Sequence, residues 1–154
     1  MVWAGVSATG RTPLIFVEKG AKIIADFYLE EVLKKELLPW SHEHFKEGNW
    51  TFQQDGPPAH KSKKVQKWCR ENLPEFLDAN DWPANSTDLN VMDYSIWAIL
   101  EEKACAKQHG SVDALKISFK KALEEIPQET LRAAVESYPK RLKAVIKAKG
   151  GHIE

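Results

Sequence analysis

Residues 51–60 read TFQQDGPPAH: a strand-like run breaks off at Asp55 and falls into Gly56-Pro57-Pro58, which turns the chain sharply. In sheet domains with helical connections, ligands gather beyond the carboxyl ends of strands, so a carboxylate here stands where a site would form. An aspartate at a turn can equally hydrogen-bond the turn backbone, and its position alone does not choose between the two.

Working outward, MVWAGVSA and TPLIFVE, separated by Thr9-Gly10-Arg11, have the Val, Ile, Phe and Trp content of two hairpin-linked strands. From Ile23 to about Leu38, the residues Ile24, Phe27, Leu29, Val32 and Leu33 recur at helical spacing, and Pro39 is expected to end that helix. NWTFQQD then reads as a third strand. HKSKKVQKWCRENL reads as a helix with Val65, Trp68, Cys69 and Leu73 on one face and Lys63, Lys67 and Arg70 on the other. FLDANDWP is expected to form a short fourth strand that runs into the irregular ANSTDLN. VMDYSIWAILEEKACAK follows as a helix with Asn90 as its N-cap and Met92, Ile96, Ile99, Leu100 and Lys103 as its buried and flanking series.

The remainder reads as helical. Leu115, Phe119, Ala122, Leu123 and Ile126 make one stripe, Leu131, Val135 and Tyr138 a second, and Leu142, Val145 and Ile146 a third. Pro127 and Pro139 separate the helices, and Gly150-Gly151 stops the last. Strands, helix, strand, helix, strand and a helical tail predict a mixed α/β or α+β layered domain.

At 154 residues the chain fits one domain whose core needs no covalent staples. Lys+Arg and Asp+Glu balance at 22 each, so bulk charge attracts neither nucleic acid nor an anionic membrane, and any basic surface is local. Cys69 and Cys105 lack the spacing of a zinc site and are expected to be reduced, buried thiols of an intracellular protein. No apolar run approaches the ~18–20 residues that span a bilayer, and MVWAGVSATGR lacks the layout of a signal peptide. The chain therefore reads as soluble, not secreted and without a membrane partner. His42, Glu43 and His44 do not share a helix face and read as a solvated stretch, while Trp68, Tyr94 and Trp97 read as packing residues.

Asp93 lies three residues after Asn90, where an acid can close a capping box and favour the helix dipole. A carboxylate at a strand end and another in the first turn of a helix can also converge on a hard cation, with the oxygen donors that magnesium requires. Such a pair suits phosphoryl transfer.

QQDGPPAH followed by WPANSTDLNVMDYSIW resembles the catalytic core of mariner-like transposases, the cut-and-paste DNA enzymes with three acidic catalytic residues. The resemblance makes Asp55 the second acid and Asp93 the third, with 37 residues between them, and the final Asp resembles the nematode and insect sister branch of mariner. Trp82, Pro83, Ser86, Asp88, Leu89 and Asn90 match the family's pattern, whereas Thr87 and Val91 stand where it usually has prolines, which loosens the loop that aims Asp93.

The likeness runs from MVWAGVSATGRTPLIFVEKG to YPKRLKAVIKAKGGHIE, and it implies a ribonuclease-H-like mixed sheet with flanking helices and a helical C-terminal tail. It also implies a two-ion Mg²⁺ or Mn²⁺ site to which Asp55 and Asp93 are metal ligands, supported by Gln54, His60, Ser86, Asp88 and Asn90. Lys63, Lys67, Arg70, Lys140, Lys143 and Lys147 are the candidate phosphate contacts. The implied partners are transposon ends and target DNA, and the implied place of action is the nucleus.

In the family the first acid lies on a central strand upstream of the part resembling MVWAGVS, between the strands around Val2–Val6 and Thr51–Gln54. Both that strand and the amino-terminal DNA-reading part are expected to be missing from this N-terminally truncated catalytic domain. Alone, the chain is then expected to be inactive and to pair its open strand edges in a homodimer or larger oligomer. The alternative is a catalytically inactive remnant that binds DNA or oligomerises; a related nuclease of the same fold is a third reading.

Overall fold

The computed structural model describes residues 2–17, 24–83 and 86–153. The first hairpin is built from β1 (Val2–Trp3), β2 (Val6–Ser7), β3 (Gly10–Arg11) and β4 (Ile15–Phe16). Val2 pairs with Phe16 and Trp3 with Ile15, whereas Val6 pairs with Arg11 and Ser7 with Gly10. The register therefore slips by one residue between the two ladders, and the extra residue lies on the strand that carries Thr12-Pro13-Leu14.

Pro13 has no N–H to give a ladder, so a bulge is the natural place for it. Thr12 bridges the gap: its N–H donates to Gly5 O at 2.9 Å and its hydroxyl accepts from Gly5 N–H at 2.8 Å. The turn falls on Ala8-Thr9, one position earlier than expected, and Gly10-Arg11 belongs to the strand.

The chain forms two compact units, Met1–Val17 with Thr87–Glu154, and Glu18–Ser86. In the second unit the helical run after Ile24 comprises α1 (Ala25–Phe27), a π-helix (Tyr28–Leu37) and α2 (Leu38–Phe45). The expected stop at Pro39 is not there, and helix continues to Phe45. Leu38 N–H bonds Leu33 O, five residues back, which closes the π segment and starts a new first turn, where proline lacks nothing it needs. Tyr28, Leu29, Val32, Leu33 and Leu37 bury one face of the run, and the buried Ser41 donates to Leu38 O at 2.7 Å.

The third strand is shorter than expected. β5 is Thr51–Phe52, and it pairs in parallel with β6 (Glu75–Phe76), with Leu77 N–H on Phe52 O at 2.9 Å extending the contact. The segment expected as one helix from His60 is two pieces, α3 (Pro58–Lys61) and α4 (Lys63–Asn72). Ser62 breaks it by capping α4, its hydroxyl accepting from Val65 N–H at 3.3 Å. Val65, Cys69 and Leu73 are buried as their spacing predicts, and Gln66 joins them.

The first unit carries the helical tail. A 3₁₀ turn (Thr87–Leu89) leads into a π-helix (Met92–Ile96), then α5 (Trp97–Ala104), α6 (Val112–Glu125), α7 (Gln128–Glu136) and α8 (Tyr138–Lys147). The core joins Ala4 and Leu14 of the hairpin to Met92, Ile96, Leu100, Ala104, Ala122, Leu123, Ile126, Leu131 and Ala134. Arg11 donates to Leu123 O and Glu124 O, satisfying carbonyls left open at the end of α6, and Gln128 Nε2 donates to Ala8 O at 2.7 Å in the hairpin turn.

The third predicted stripe fails: Ile146 is 68% exposed and Leu142 36% exposed, because no described element of this unit covers that face of α8. The expectation of two buried thiols holds for Cys69 only, since Cys105 is exposed just beyond the end of α5. Among the described residues no helix is long and apolar enough to cross a membrane, and each ladder is two-stranded.

Candidate metal-binding acids and their supports

Asp55 lies three residues beyond the end of β5, in the loop to α3. Pro57 in extended conformation caps that helix and Pro58 opens it, so two residues without N–H groups fix where the turn ends. The helix then carries His60 back to Asp55. His60 Nδ1 lies 2.8 Å from Asp55 Oδ1 and 3.2 Å from Asp55 O. Both neighbours are acceptors, so Nδ1 carries the proton and the imidazole holds the carboxylate in one orientation.

His60 is itself locked. Its ring stacks on Tyr28 with centroids 4.0 Å apart, and Tyr28 Oη donates to Gln54 Oε1 at 2.7 Å. Gln54 Nε2 and Gln66 Nε2 donate to His60 O at 3.3 and 2.8 Å, and Ala79 N–H donates to Gln66 Oε1 at 3.0 Å. Of this network the sequence reading named Asp55, His60 and Gln54 and missed Tyr28 and Gln66. Neither belongs to the apolar series that helical spacing picks out in its helix.

The recess among Gln54, Asp55, Gly56, His60, Lys61, Gln66, Leu77, Ala79 and Trp82 holds about 10 Å³, room for roughly one water. That excludes a buried organic ligand there. Trp82 is buried against it, and a Cβ on Gly56 would lie 2.8 Å from Lys61 Cε.

Asp93 is exposed in the first turn of the π-helix Met92–Ile96. The expected capping by Asn90 is present: its Oδ1 accepts from Met92 N–H at 3.2 Å, and its carbonyl accepts from Tyr94 N–H at 3.0 Å. Ser86 donates to Pro83 O at 2.8 Å. Asp88 Oδ2 accepts from His152 Nδ1 at 3.1 Å and Ile153 N–H at 3.4 Å. The His152 hydrogen bond, chiefly, holds the Asp88 carboxyl below the usual carboxylate range, with Ile153 N–H and the charges of His152 and Arg141 assisting.

The candidate phosphate contacts differ in availability. Arg70 is paired with Asp78, and Lys67 lies 3.8 Å from Glu71. Lys63, Lys140, Lys143 and Lys147 are exposed and make no ion pair among the described residues. A recess of about 210 Å³ between α5 and α6 gathers Lys103, Lys107, His109 and Lys121. It lies at the carbonyl end of α5, where His109 and Ser118 cap Ala104 O and cations offset the helix dipole without any ligand.

Each carboxylate offers the hard oxygen donors that a divalent ion takes, and the histidine that orients Asp55 is the kind of outer support such ligands use. No group of three or more His, Cys, Asp or Glu gathers among the described residues. Asp55 and Asp93 belong to different compact units.

No family model matches the chain. The Tcb1 transposable-element transposase of Caenorhabditis briggsae is 31% identical over 150 residues, covering 97% of this chain and 52% of the relative. The chain thus spans about half the length of the relatives it matches. The catalytic domain of Mos1 mariner transposase superposes with a TM-score of 0.83 at 18% identity, covering 99% of this chain and 74% of that domain. The Mos1 paired-end complex with Mn gives a TM-score of 0.84 at 19% identity, covering 99% of this chain and 44% of that one. The fold is therefore ribonuclease-H-like, as in the Mos1 catalytic domain, and along nearly its whole length the chain is similar to about half of a mariner-like transposase, with the ordered motifs around Asp55 and Asp93 inside the similar stretch.

Proposed function

We propose that this chain is the metal-binding, strand-cleaving part of a DNA transposase, which cuts DNA at element ends and joins the freed 3′-hydroxyl to target DNA in the nucleus. Asp55 and Asp93 are its metal-binding acids. The observation that carries the reading is the His60 to Asp55 contact at 2.8 Å, an orienting hydrogen bond behind a carboxylate that is itself 44% exposed. His60 engages Oδ1 and leaves Oδ2 for a cation, while Tyr28, Gln54 and Gln66 keep the imidazole from turning away. When bound, Mg²⁺ or Mn²⁺ would supply the positive charge that activates an attacking oxygen and stabilises a leaving one.

The named Mos1 complex with Mn and paired ends supports divalent metal, DNA and a paired assembly as the setting for this chain. Lys140, Lys143 and Lys147 on α8, with Lys63 and Lys67 on α4, are the proposed phosphate contacts. Each such contact steepens the fall of DNA affinity with salt.

The test is Mn²⁺ binding followed by electron paramagnetic resonance, beside Mn²⁺-dependent nicking of supercoiled plasmid, for the unmodified chain and its Asp55→Ala and Asp93→Ala variants. Binding weakened at least tenfold by each substitution is expected, since each removes a charged ligand. Nicking, wherever it is seen, should disappear with it. Binding and nicking that survive both substitutions would overturn the assignment.

A further inference from the structure

Asp93 stands between two residues that are held from one place. Arg141, half-buried on α8, donates from Nε to Asp88 O at 2.7 Å, and its guanidinium lies over the Tyr94 ring at 4.1 Å. One planar cation thus grips the backbone on one side of Asp93 and the adjacent side chain on the other. Tyr94 Oη in turn donates to Ala134 O at 2.6 Å and lies 3.3 Å from Ser137 Oγ, where α7 gives way to α8.

The turn after α8 adds a third hold. Gly150 N–H bonds Val145 O at 2.9 Å and Lys149 N–H bonds Ile146 O at 3.0 Å, a Schellman arrangement that redirects the chain. His152 and Ile153 then reach the Asp88 carboxylate. The segment so gripped passes from a 3₁₀ turn to a π-helix, and neither Thr87 nor Val91 restrains φ as a proline would.

We infer that α8 and its terminal turn form a latch that positions Asp93, with Arg141 as the positioning residue. This rests on the reading of Asp93 as a metal-binding acid. Arg141 touches neither metal nor DNA in this role; it fixes the direction in which the Asp93 carboxylate is presented. Lysine in its place keeps a cation over Tyr94 but loses the planar Nε–H that reaches Asp88 O.

Hydrogen exchange resolved by residue and Mn²⁺ affinity, measured on the whole chain, test the latch with Arg141→Ala, Arg141→Lys and, as a control on the same helix, Leu142→Ala. In Arg141→Ala, protection at Asn90, Met92 and Tyr94 is expected to fall roughly tenfold or more while α6 keeps its protection. Mn²⁺ affinity should fall about tenfold with it, as for loss of other outer-shell supports. Arg141→Lys should lie between, and Leu142→Ala should match the unmodified chain.

Unchanged protection around Asp93 in Arg141→Ala would overturn the latch, as would an equal loss across α6, which would make Arg141 a support of the whole unit only. If Asp93→Ala binds Mn²⁺ as the unmodified chain does, the metal reading falls by itself. The exchange pattern then still decides whether Arg141 holds the loop.

Discussion

At the scale of single residues, the two cysteines show how burial divides chemically identical groups. Burial pushes the Cys69 thiol up to about 12, against the opposing pull of the Arg70 charge, whereas Cys105 is exposed. A thiol reagent at mildly alkaline pH should therefore label one site in the folded chain at once. Cys105→Ser should abolish that phase, and Cys69 should react only on unfolding; two fast thiols would show that the α4 face is open. The carboxyl of Asp88 offers a second measurement. Its folded-state value is depressed, so the stability it contributes is present above the ordinary carboxylate range near ~3.9 and is lost as pH falls through the lower folded value. Urea midpoints followed from pH 5 into the acid range should fall less steeply for Asp88→Asn than for the unmodified chain, and parallel curves would mean the tail contact adds nothing.

At the scale of elements, two helix ends carry lysine in backbone conformations that suit glycine. Lys149 has φ 53° in the left-handed position of the turn after α8, with Gly150 at φ 85° following it, so the sequence cue of Gly-Gly lies one residue late. Lys46, which ends α2, has φ 53° and ψ −116°. A left-handed conformation costs a residue with Cβ about 1–2 kcal/mol, and glycine escapes it. Lys149→Gly should raise unfolding free energy by about 1 kcal/mol, and Lys46→Gly, whose ψ lies outside the left-handed helical region, should raise it as well, read by urea denaturation. A loss of stability in either would mean that the lysine side chain contributes more than its backbone costs. Gly48 should not tolerate the reverse change, because a Cβ there would lie 2.9 Å from Phe45 O.

At the scale of the molecule, the hairpin ladders and the β5–β6 ladder are each two-stranded among the described residues. Short two-stranded sheets are marginal, and unpaired edges template association. The exposed Ile146 and Leu142 on α8 add apolar surface to one unit. Light scattering across a dilution series should show concentration-dependent dimers or larger species. A single monomeric species throughout would mean that the edges are protected in solution.

The sequence by itself determined the kinds and order of most elements and the bulk of the buried faces. Hydrophobic period, proline and cap residues act over a few positions and leave their mark there: Asn90 caps the Asp93 helix, and Val65, Cys69 and Leu73 face inward, as their spacing says. The motifs flanking Asp55 and Asp93 were legible because their residues are neighbours in the chain. Tertiary structure alone decided that helix runs through Pro39, since the π segment before it changed which carbonyls needed a partner. It alone decided that His60 orients Asp55 from a seat made by Tyr28 and Gln66, and that Arg141 spans Asp88 and Tyr94. Those partners are brought together by packing across long stretches of chain, and no local pattern of residues encodes which distant group a side chain will meet.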